Sequence, residues 1–356
     1  MKMDDMLDQF RARVQRAGRE GRPLRIRGGG SKDWYGRAPR GEALETAGYR
    51  GIVSYEPSEL VITARCGTPL AEIEAALAGR GQMLAFEPPH FGGGATIGGA
   101  VASGLSGPRR QAAGAVRDFV LGAVLMDGRG ELLRFGGQVM KNVAGYDVSR
   151  LLAGSLGVLG LIAEVSVKVL PRPPAEATLR LALDQQEALR CMNLWAGQPL
   201  PVSATAWHDG VLSVRLSGAR AAVASAERRI GGVTLDPGAA EGYWRDLREQ
   251  RLAFFGGGGA LWRLALPTTA PALPHGAPQL IEWGGGQRWL RSDDAPEAVR
   301  ELAERHGGHA TLYRGGRREG SVFHPLAPAV HAIHRNLKNA FDPAGIFNPG
   351  RMYQDL

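Results

Sequence analysis

Three glycines stand together at Gly28-Gly29-Gly30, with Arg27 before them and Ser31-Lys32 after. Glycine lets a backbone come within hydrogen-bond reach of a ligand, and successive N–H groups form a nest for an anion. A second glycine-rich segment, FGGGATIGGAVASGLSG (91–107), has seven glycines in seventeen positions. Thr96 and Ser103 add hydroxyl donors to it, and Arg109 adds a cation just beyond. A lone three-glycine turn often binds nothing. Two such loops in one chain predict a large phosphate-bearing cofactor, because a dinucleotide pyrophosphate carries two negative charges.

Other phosphate motifs do not fit. The dinucleotide fingerprint G-x-G-x-x-G needs a third glycine where Asp33 stands, and no long helix follows. The P-loop pattern is absent. Cys66 and Cys191 are the two cysteines and form no C-x-x-C, too few to ligate an iron–sulfur cluster or a cysteine zinc site. Among the eight histidines, His331 and His334 share a helix face with His324 as the nearby third candidate, but a polar face beside Lys338 is the favoured reading. His306 and His309 flank a Gly-Gly loop and read as solvated. His90 sits beside the second glycine segment, either against the cofactor or filling a polar gap.

At this point the residues carry a resemblance. Arg27-Gly28-Gly29-Gly30-Ser31 resembles the pyrophosphate loop of the vanillyl-alcohol-oxidase/PCMH-type FAD-binding family, and EPPHFGGGATIGGAVASG resembles its second loop. The stretch from RDFVLGAVLMDGRG to VSVKVLPRP resembles the segment closing its FAD site, and KNAFDPAGIFNPGRMY resembles its C-terminal signature. The likeness covers 20–175 and 325–356 well and 178–320 weakly. Within the family it points to the flavin-binding subunits of bacterial glycolate oxidase complexes.

The resemblance implies noncovalent FAD between two α+β subdomains under a cap. Arg27, Gly28, Gly29, Gly30 and Ser31 would cradle the pyrophosphate. Thr96, Ile97, Gly98, Gly99, Ser103 and Gly104 would line the diphosphate and flavin. Val116, Arg117, Gly160 and Ile162 would hold the adenosine end through backbone groups, and Asn348 and Arg351 would return to the isoalloxazine edge. Pro88, Arg109 and Gly157 belong to the same expected set. Relatives that attach flavin covalently use His or Cys at these loops; position 31 is Ser and no His lies within 25–36. Lys141, Asn142 and Asp147 are candidate substrate or flavin contacts, with a simple turn equally open for the last two. Relatives that oxidise 2-hydroxy acids carry a histidine-rich run of the form G-H-x-G-D-G-N-L-H, and nothing of that form is present. Two readings follow. One is a flavin-bearing subunit of a glycolate-oxidising complex, partnered by a catalytic flavin D subunit and an iron–sulfur F subunit. The other is a self-sufficient FAD oxidoreductase of small 2-hydroxy acids with a base of another kind. The missing histidine run favours the first.

The elements that must position these residues follow from pattern. The chain has 356 residues, long enough for two or three domains, with 44% apolar and 22% charged residues, as in ordinary soluble proteins. The formal charge is +8, but the arginines are scattered, which argues against nucleic acid. The N-terminus lacks the apolar core of a secretory signal, and no stretch is long and apolar enough to span a bilayer. The expected location is cytoplasmic, peripheral to the inner membrane only through the complex.

Met6, Phe10 and Val14 predict a helix over 3–18. Strands are expected at PLRIR, GIVSYEP, ELVITARCG and MLAFEPP. Thr68 reads as an N-cap, with Pro69 opening the helix that follows. A hairpin is expected at Asp127-Gly128, and 171–177 reads as a linker. Beyond it, strands alternate with helices, predicting a ferredoxin-like sheet with helices on one face. Trp207, Trp244, Trp262, Trp283 and Trp289 there read as core or as an interface. The expected architecture is α+β: an FAD-binding PCMH-type domain over 1–173, a ferredoxin-like cap over 174–324, and a segment over 325–356 returning to the first domain.

Overall fold

The computed structural model describes residues 3–137, 147–316, 318 and 320–356. The helix Met3–Glu20 opens the chain. Asp4 and Asp5 in its first turn and Arg19 in its last complement the helix dipole. In chain order the first lobe then holds β1 (Leu24–Arg27), β2 (Glu42–Glu45), β3 (Ile52–Glu56), β4 (Val61–Arg65), β5 (Gln82–Met83), β6 (Val120–Met126), β7 (Leu132–Gly136), β8 (Leu161–Lys168) and β9 (Leu170–Pro171). The strands β3-β4-β8-β6-β7 form an antiparallel sheet in that order.

Both faces of this sheet are covered. Ala123 and Leu125 of β6 turn to one core with the helices Leu70–Ala78 and Ile97–Ser103. Val124 and Met126 turn to the other, with Phe10 and Val14 of the first helix and Ile346 and Phe347 of the tail. Such a fully buried apolar side chain contributes roughly 1.5–3 kcal/mol. The two-residue alternation of β6 therefore joins the lobe's two halves through one strand.

The second lobe holds β10 (Ala175–Ala182), β11 (Val202–His208), β12 (Val211–Gly218), β13 (Val233–Thr234), β14 (Leu261–Ala265), β15 (Gln279–Glu282), β16 (Gln287–Arg291) and β17 (His309–Arg314). They make one antiparallel sheet, ordered β13-β10-β12-β11-β15-β16-β14-β17. Read in chain order, each half has its strands arranged 4-1-3-2, the ferredoxin-like order. The two units meet where β11 runs antiparallel to β15. The first unit has both crossover helices, Gln185–Ala196 and Arg220–Ile230. The second keeps only Pro296–Arg305; its other crossover, 266–278, carries Pro267, Pro271, Pro274 and Pro278, which exclude a helix.

Several expectations need correction. Helices cover both faces of this sheet, not one: Trp244 and Leu247 of the helix Pro237–Arg248 pack on the face toward the first lobe. Thr68 does not cap the helix after Pro69; its hydroxyl donates toward Gly51 O and Arg65 O and accepts from Gly51 N. MLAFEPP is strand only at its start, because the chain turns at Glu87, where φ is +47°. The linker is shorter than 171–177, since β9 ends at Pro171 and β10 begins at Ala175. Residues 97–103 of the second glycine segment are helical. Among the described residues, no helix is long and apolar enough to cross a membrane.

Candidate functional site

β1 carries the chain into the loop Gly28–Ser31. It is held on both edges, by β2 and by a parallel bridge from Leu24 to Phe347. Gly29 backs directly onto the second glycine segment: a Cβ there would lie 1.4 Å from the Gly94 carbonyl oxygen. Gly30 sits at φ +74°, and the Arg27 guanidinium folds over it, donating through Nε to Asp33 Oδ2 at 2.7 Å. Arg27 thus closes the loop. Among the described residues, no amide of Gly28, Gly29, Gly30, Ser31 or Lys32 donates to a protein acceptor. Five consecutive free N–H groups make an anion nest.

Cations border it. Lys32 Nζ lies 3.2 Å from Ser31 Oγ and 5.5 Å from the Phe91 ring centroid. Burial pulls its pKa down to about 8, with the Glu249 carboxylate a partial offset. Arg351 lines the same cleft, is buried, and donates to the carbonyls of Asp33 and Arg37. Burial lowers its pKa to about 10. Arg25 Nε is buried without a partner.

The far wall comes from the chain's end. Asn348 Oδ1 accepts from Ile26 N at 2.8 Å, and its Nδ2 donates to Leu156 O at 2.6 Å. One amide side chain therefore staples β1 to the turn before β8. Thr96 caps the helix Ile97–Ser103, its hydroxyl accepting from Gly99 N at 3.3 Å. Gly99 and Ser103 reach the cleft from that helix. An adjoining, more apolar cavity is lined by Ile26, Cys66, Gly98, Gly157, Gly160 and Ile162. Burial pushes the Cys66 thiol up to about 12, so it carries no thiolate there.

The cleft and its neighbour thus bring together Arg27, Gly28, Gly29, Gly30, Ser31, Thr96, Gly98, Gly99, Ser103, Gly157, Gly160, Ile162, Asn348 and Arg351. Six expected residues line neither. Ile97 and Val116 are in the core. Gly104 abuts Gly154, Pro88 is buried in the chain's turn, and Arg117 is exposed. Arg109 turns to the second lobe. It donates from its amide to Glu87 at 2.8 Å, and from its guanidinium to Glu176 at 2.5 Å and Ser217 at 3.1 Å. Arg215 adds two contacts to Glu87 at 3.0 Å. Burial works against ionising Glu87, but Arg215 and Arg109 outweigh it and hold the carboxyl below its ordinary range. This cluster locks one lobe to the other.

The remaining candidates have local partners. His90 pairs with Glu74 at 3.1 Å, His324 with Glu304 at 3.1 Å and His331 with Asp355 at 3.0 Å. Among the described residues, no three His, Cys, Asp or Glu side chains converge as a metal site. Asp147 caps the short helix Val148–Leu151. Lys141 and Asn142 lie outside the described residues. Trp244 and Trp262 are core, while Trp283 donates to Gly107 O at 3.1 Å across the lobes.

One group went unseen in the sequence. A small cavity between the lobes is lined by Phe91, Leu105, Arg263, Glu282, Trp289 and Tyr313. Glu282 is 4% exposed, and Trp289 Nε1 donates to its Oε2 at 2.6 Å. Burial raises its pKa to about 7. No short motif joins Arg263 to Glu282; only the pairing of Arg263 with Trp289, and of Gln287 with Glu282, puts them on one sheet face.

Comparison with known proteins agrees with this geometry. The FAD binding domain family matches residues 6–136. The fold is shared with alkyldihydroxyacetonephosphate synthase, with a TM-score of 0.68 and 14% identity over 95% of this chain and 73% of that one. The free amide nest, the bordering cations and the apolar cavity beside them fit FAD, a dianionic pyrophosphate carrying flat rings. The fold and cleft define an FAD-dependent oxidoreductase of the PCMH type. Glycolate oxidase subunit GlcE of Escherichia coli K12 is 50% identical over 334 residues, 94% of this chain and 93% of that protein. The chain belongs to that glycolate oxidase subunit family. It is also 32% identical over 159 residues to glycolate oxidase subunit GlcD of Bacillus subtilis, but spans only 34% of that protein.

Proposed function

We propose that this chain is the FAD-bearing subunit of a complex oxidising glycolate to glyoxylate, with FAD held noncovalently between the glycine loop and the helix Ile97–Ser103. The run of free amides at Gly28–Lys32 carries this reading. When bound, FAD supplies two-electron oxidation. The protein's own residues do the rest: the amides and Lys32 balance the pyrophosphate charge, and Asn348 fixes the loop's distance from the turn at 155–157. With Ser31 at the loop and Cys66 fully protonated, neither residue offers a nucleophile for covalent attachment. Two cysteines cannot ligate an iron–sulfur cluster, so onward electron transfer falls to a partner subunit carrying one, alongside a D-type flavin subunit.

Acid precipitation of the purified protein is expected to release all its flavin, as FAD, into the supernatant; flavin in the pellet would refute noncovalent binding. In the co-expressed complex, emptying this chain's cleft is expected to abolish glycolate-dependent reduction of an external acceptor. Full activity with the cleft empty would take this flavin off the electron route.

A further inference from the structure

The sheet of the second lobe has an edge that is only partly covered. β10 pairs with β12 along all 8 of its residues, from Ala175↔Gly218 to Ala182↔Val211. On its other side β13 pairs only with Leu179 and Arg180. Leu235 N still reaches Thr178 O at 2.8 Å, and the chain then turns away into the helix Pro237–Arg248. Backbone groups along a strand alternate sides, so Glu176, two residues before Thr178, also turns its N–H and C=O outward. Among the described residues these two groups and Thr178 N meet no protein partner. The opposite edge of the sheet differs: there Leu312 N of β17 donates to Val322 O at 2.9 Å.

The bare edge opens into a cleft of about 790 Å³. Two helices from opposite faces of the sheet, Arg220–Ile230 and Pro237–Arg248, overhang it. Ala175, Ala177, Ala224 and Ala240 line the cleft and keep its walls low. A neighbouring strand runs about 4.8 Å away, and the space beside Glu176 is where a longer β13 would lie. A second cavity of about 400 Å³ continues past Glu176 and Arg172 to Glu74. Three exposed arginines on these walls lack a carboxylate. Arg172 donates to Gln82 O at 3.3 Å, and the side chains of Arg220 and Arg245 have no partner among the described residues. Glu176 and Glu87, by contrast, are already claimed by Arg109 and Arg215. Arg220 stands at the bare end, two residues after Gly218, which pairs with Ala175. The free acid of the same helix, Glu227, lies two turns or roughly 10 Å further on, toward β13.

We infer, resting on the multi-subunit reading above, that this edge docks an extended, acidic segment of a partner subunit, which adds to β10 as a strand in line with β13. Main-chain hydrogen bonds to Glu176 and Thr178 hold the segment whatever its side chains. Carboxylates on it pair with Arg172, Arg220 and Arg245 and select it over neutral or basic strands. A small anion would satisfy the arginines but leave the strand edge unpaired. An extended chain satisfies both at once, and the overhanging helices exclude the flat edge of a second sheet.

The test is hydrogen–deuterium exchange, resolved to single amides, of the FAD-loaded chain alone and in the complex co-expressed with its D- and F-type partners. The amides of Glu176 and Thr178 are expected to exchange at least about tenfold more slowly in the complex, while Ala177 and Leu179, which face β12, change little. Arg220→Glu combined with Arg245→Glu is expected to raise the concentration at which the complex half-dissociates by about tenfold, with flavin content unchanged. A complex in which Glu176 and Thr178 exchange as they do in the lone chain overturns the proposal. So does a double variant that assembles like the wild type. Failure of any complex to form overturns the multi-subunit reading together with the proposal, whereas a complex without edge protection overturns the proposal alone.

Discussion

Replacing Gly29 by alanine tests whether the two glycine segments form one cleft. The added Cβ would sit 1.4 Å from the Gly94 carbonyl oxygen and 2.4 Å from its carbon. Ordinary contact begins at 3.4 Å, so the segments must part by about 2 Å. The obstacle is backbone, which no rotamer change relieves. Overpacking of this kind costs roughly 1–3 kcal/mol in stability. The cost to the cofactor is larger, because a shift of that size breaks hydrogen bonds of ordinary length. Losing two charge-assisted amide bonds, each about 1.5–3 kcal/mol, weakens binding by about 3–6 kcal/mol, or roughly 10²- to 10⁴-fold. The assay is a fluorescence titration of flavin-free protein with FAD, with circular dichroism to show that the fold persists. Gly93→Ala is the control: a Cβ there meets nothing within 4 Å, so its affinity should match the wild type. Gly29→Ala binding FAD within about threefold of wild type would refute the reasoning.

Three further outcomes are expected. FAD affinity should fall as pH rises through 8, where buried Lys32 loses its charge, and Lys32→Met should flatten that dependence in the same titration. Glu87→Gln leaves Arg109 and Arg215 short of a counter-charge and should cost about 3 kcal/mol, read as a lowered thermal midpoint. Glu282, raised from 4.5 to about 7, contributes stability that is fully present below pH 4.5 and lost as pH rises to 7. Urea unfolding of Glu282→Gln should therefore lack a loss of up to about 3 kcal/mol that the wild type shows over that interval; parallel curves would contradict it.

Local signals in the sequence located most elements. The apolar spacing of Met6, Phe10 and Val14 marked the first helix. Asp127-Gly128 marked the β6–β7 hairpin, although its loop runs to Glu131, with the Asp127 carboxylate accepting from the amides of Arg129 and Glu131. Glycine density misled at 91–107. There the Thr96 cap and the buried Ile97, Ala100 and Val101 outweigh the poor helix propensity of Gly98 and Gly99. Arg109 was drawn toward the cofactor by proximity in sequence, whereas Glu87, folded back at Glu87–Pro88, and Glu176 claim its guanidinium. The pair Arg263 and Glu282 was invisible, because their nearness arises from strand order in the second lobe, which no local pattern encodes.

The Asn348 staple also sets the order in which this protein is made. Ile26 and Asn348 are 322 residues apart. At about 5–20 residues per second, the ribosome adds that stretch in roughly 15–60 s. Until then β1 lacks both its Phe347 bridge and the amide that fixes its loop. The buried Lys338 ammonium, which holds Val158 O and Phe347 O at 2.8 and 2.7 Å and pairs with Asp342, is equally late. The nascent chain can complete both sheets while the cleft lined by Asn348 still has an open wall, so flavin uptake is expected to follow release, and truncation just before Asn348 is expected to lower flavin content while sparing the lobes.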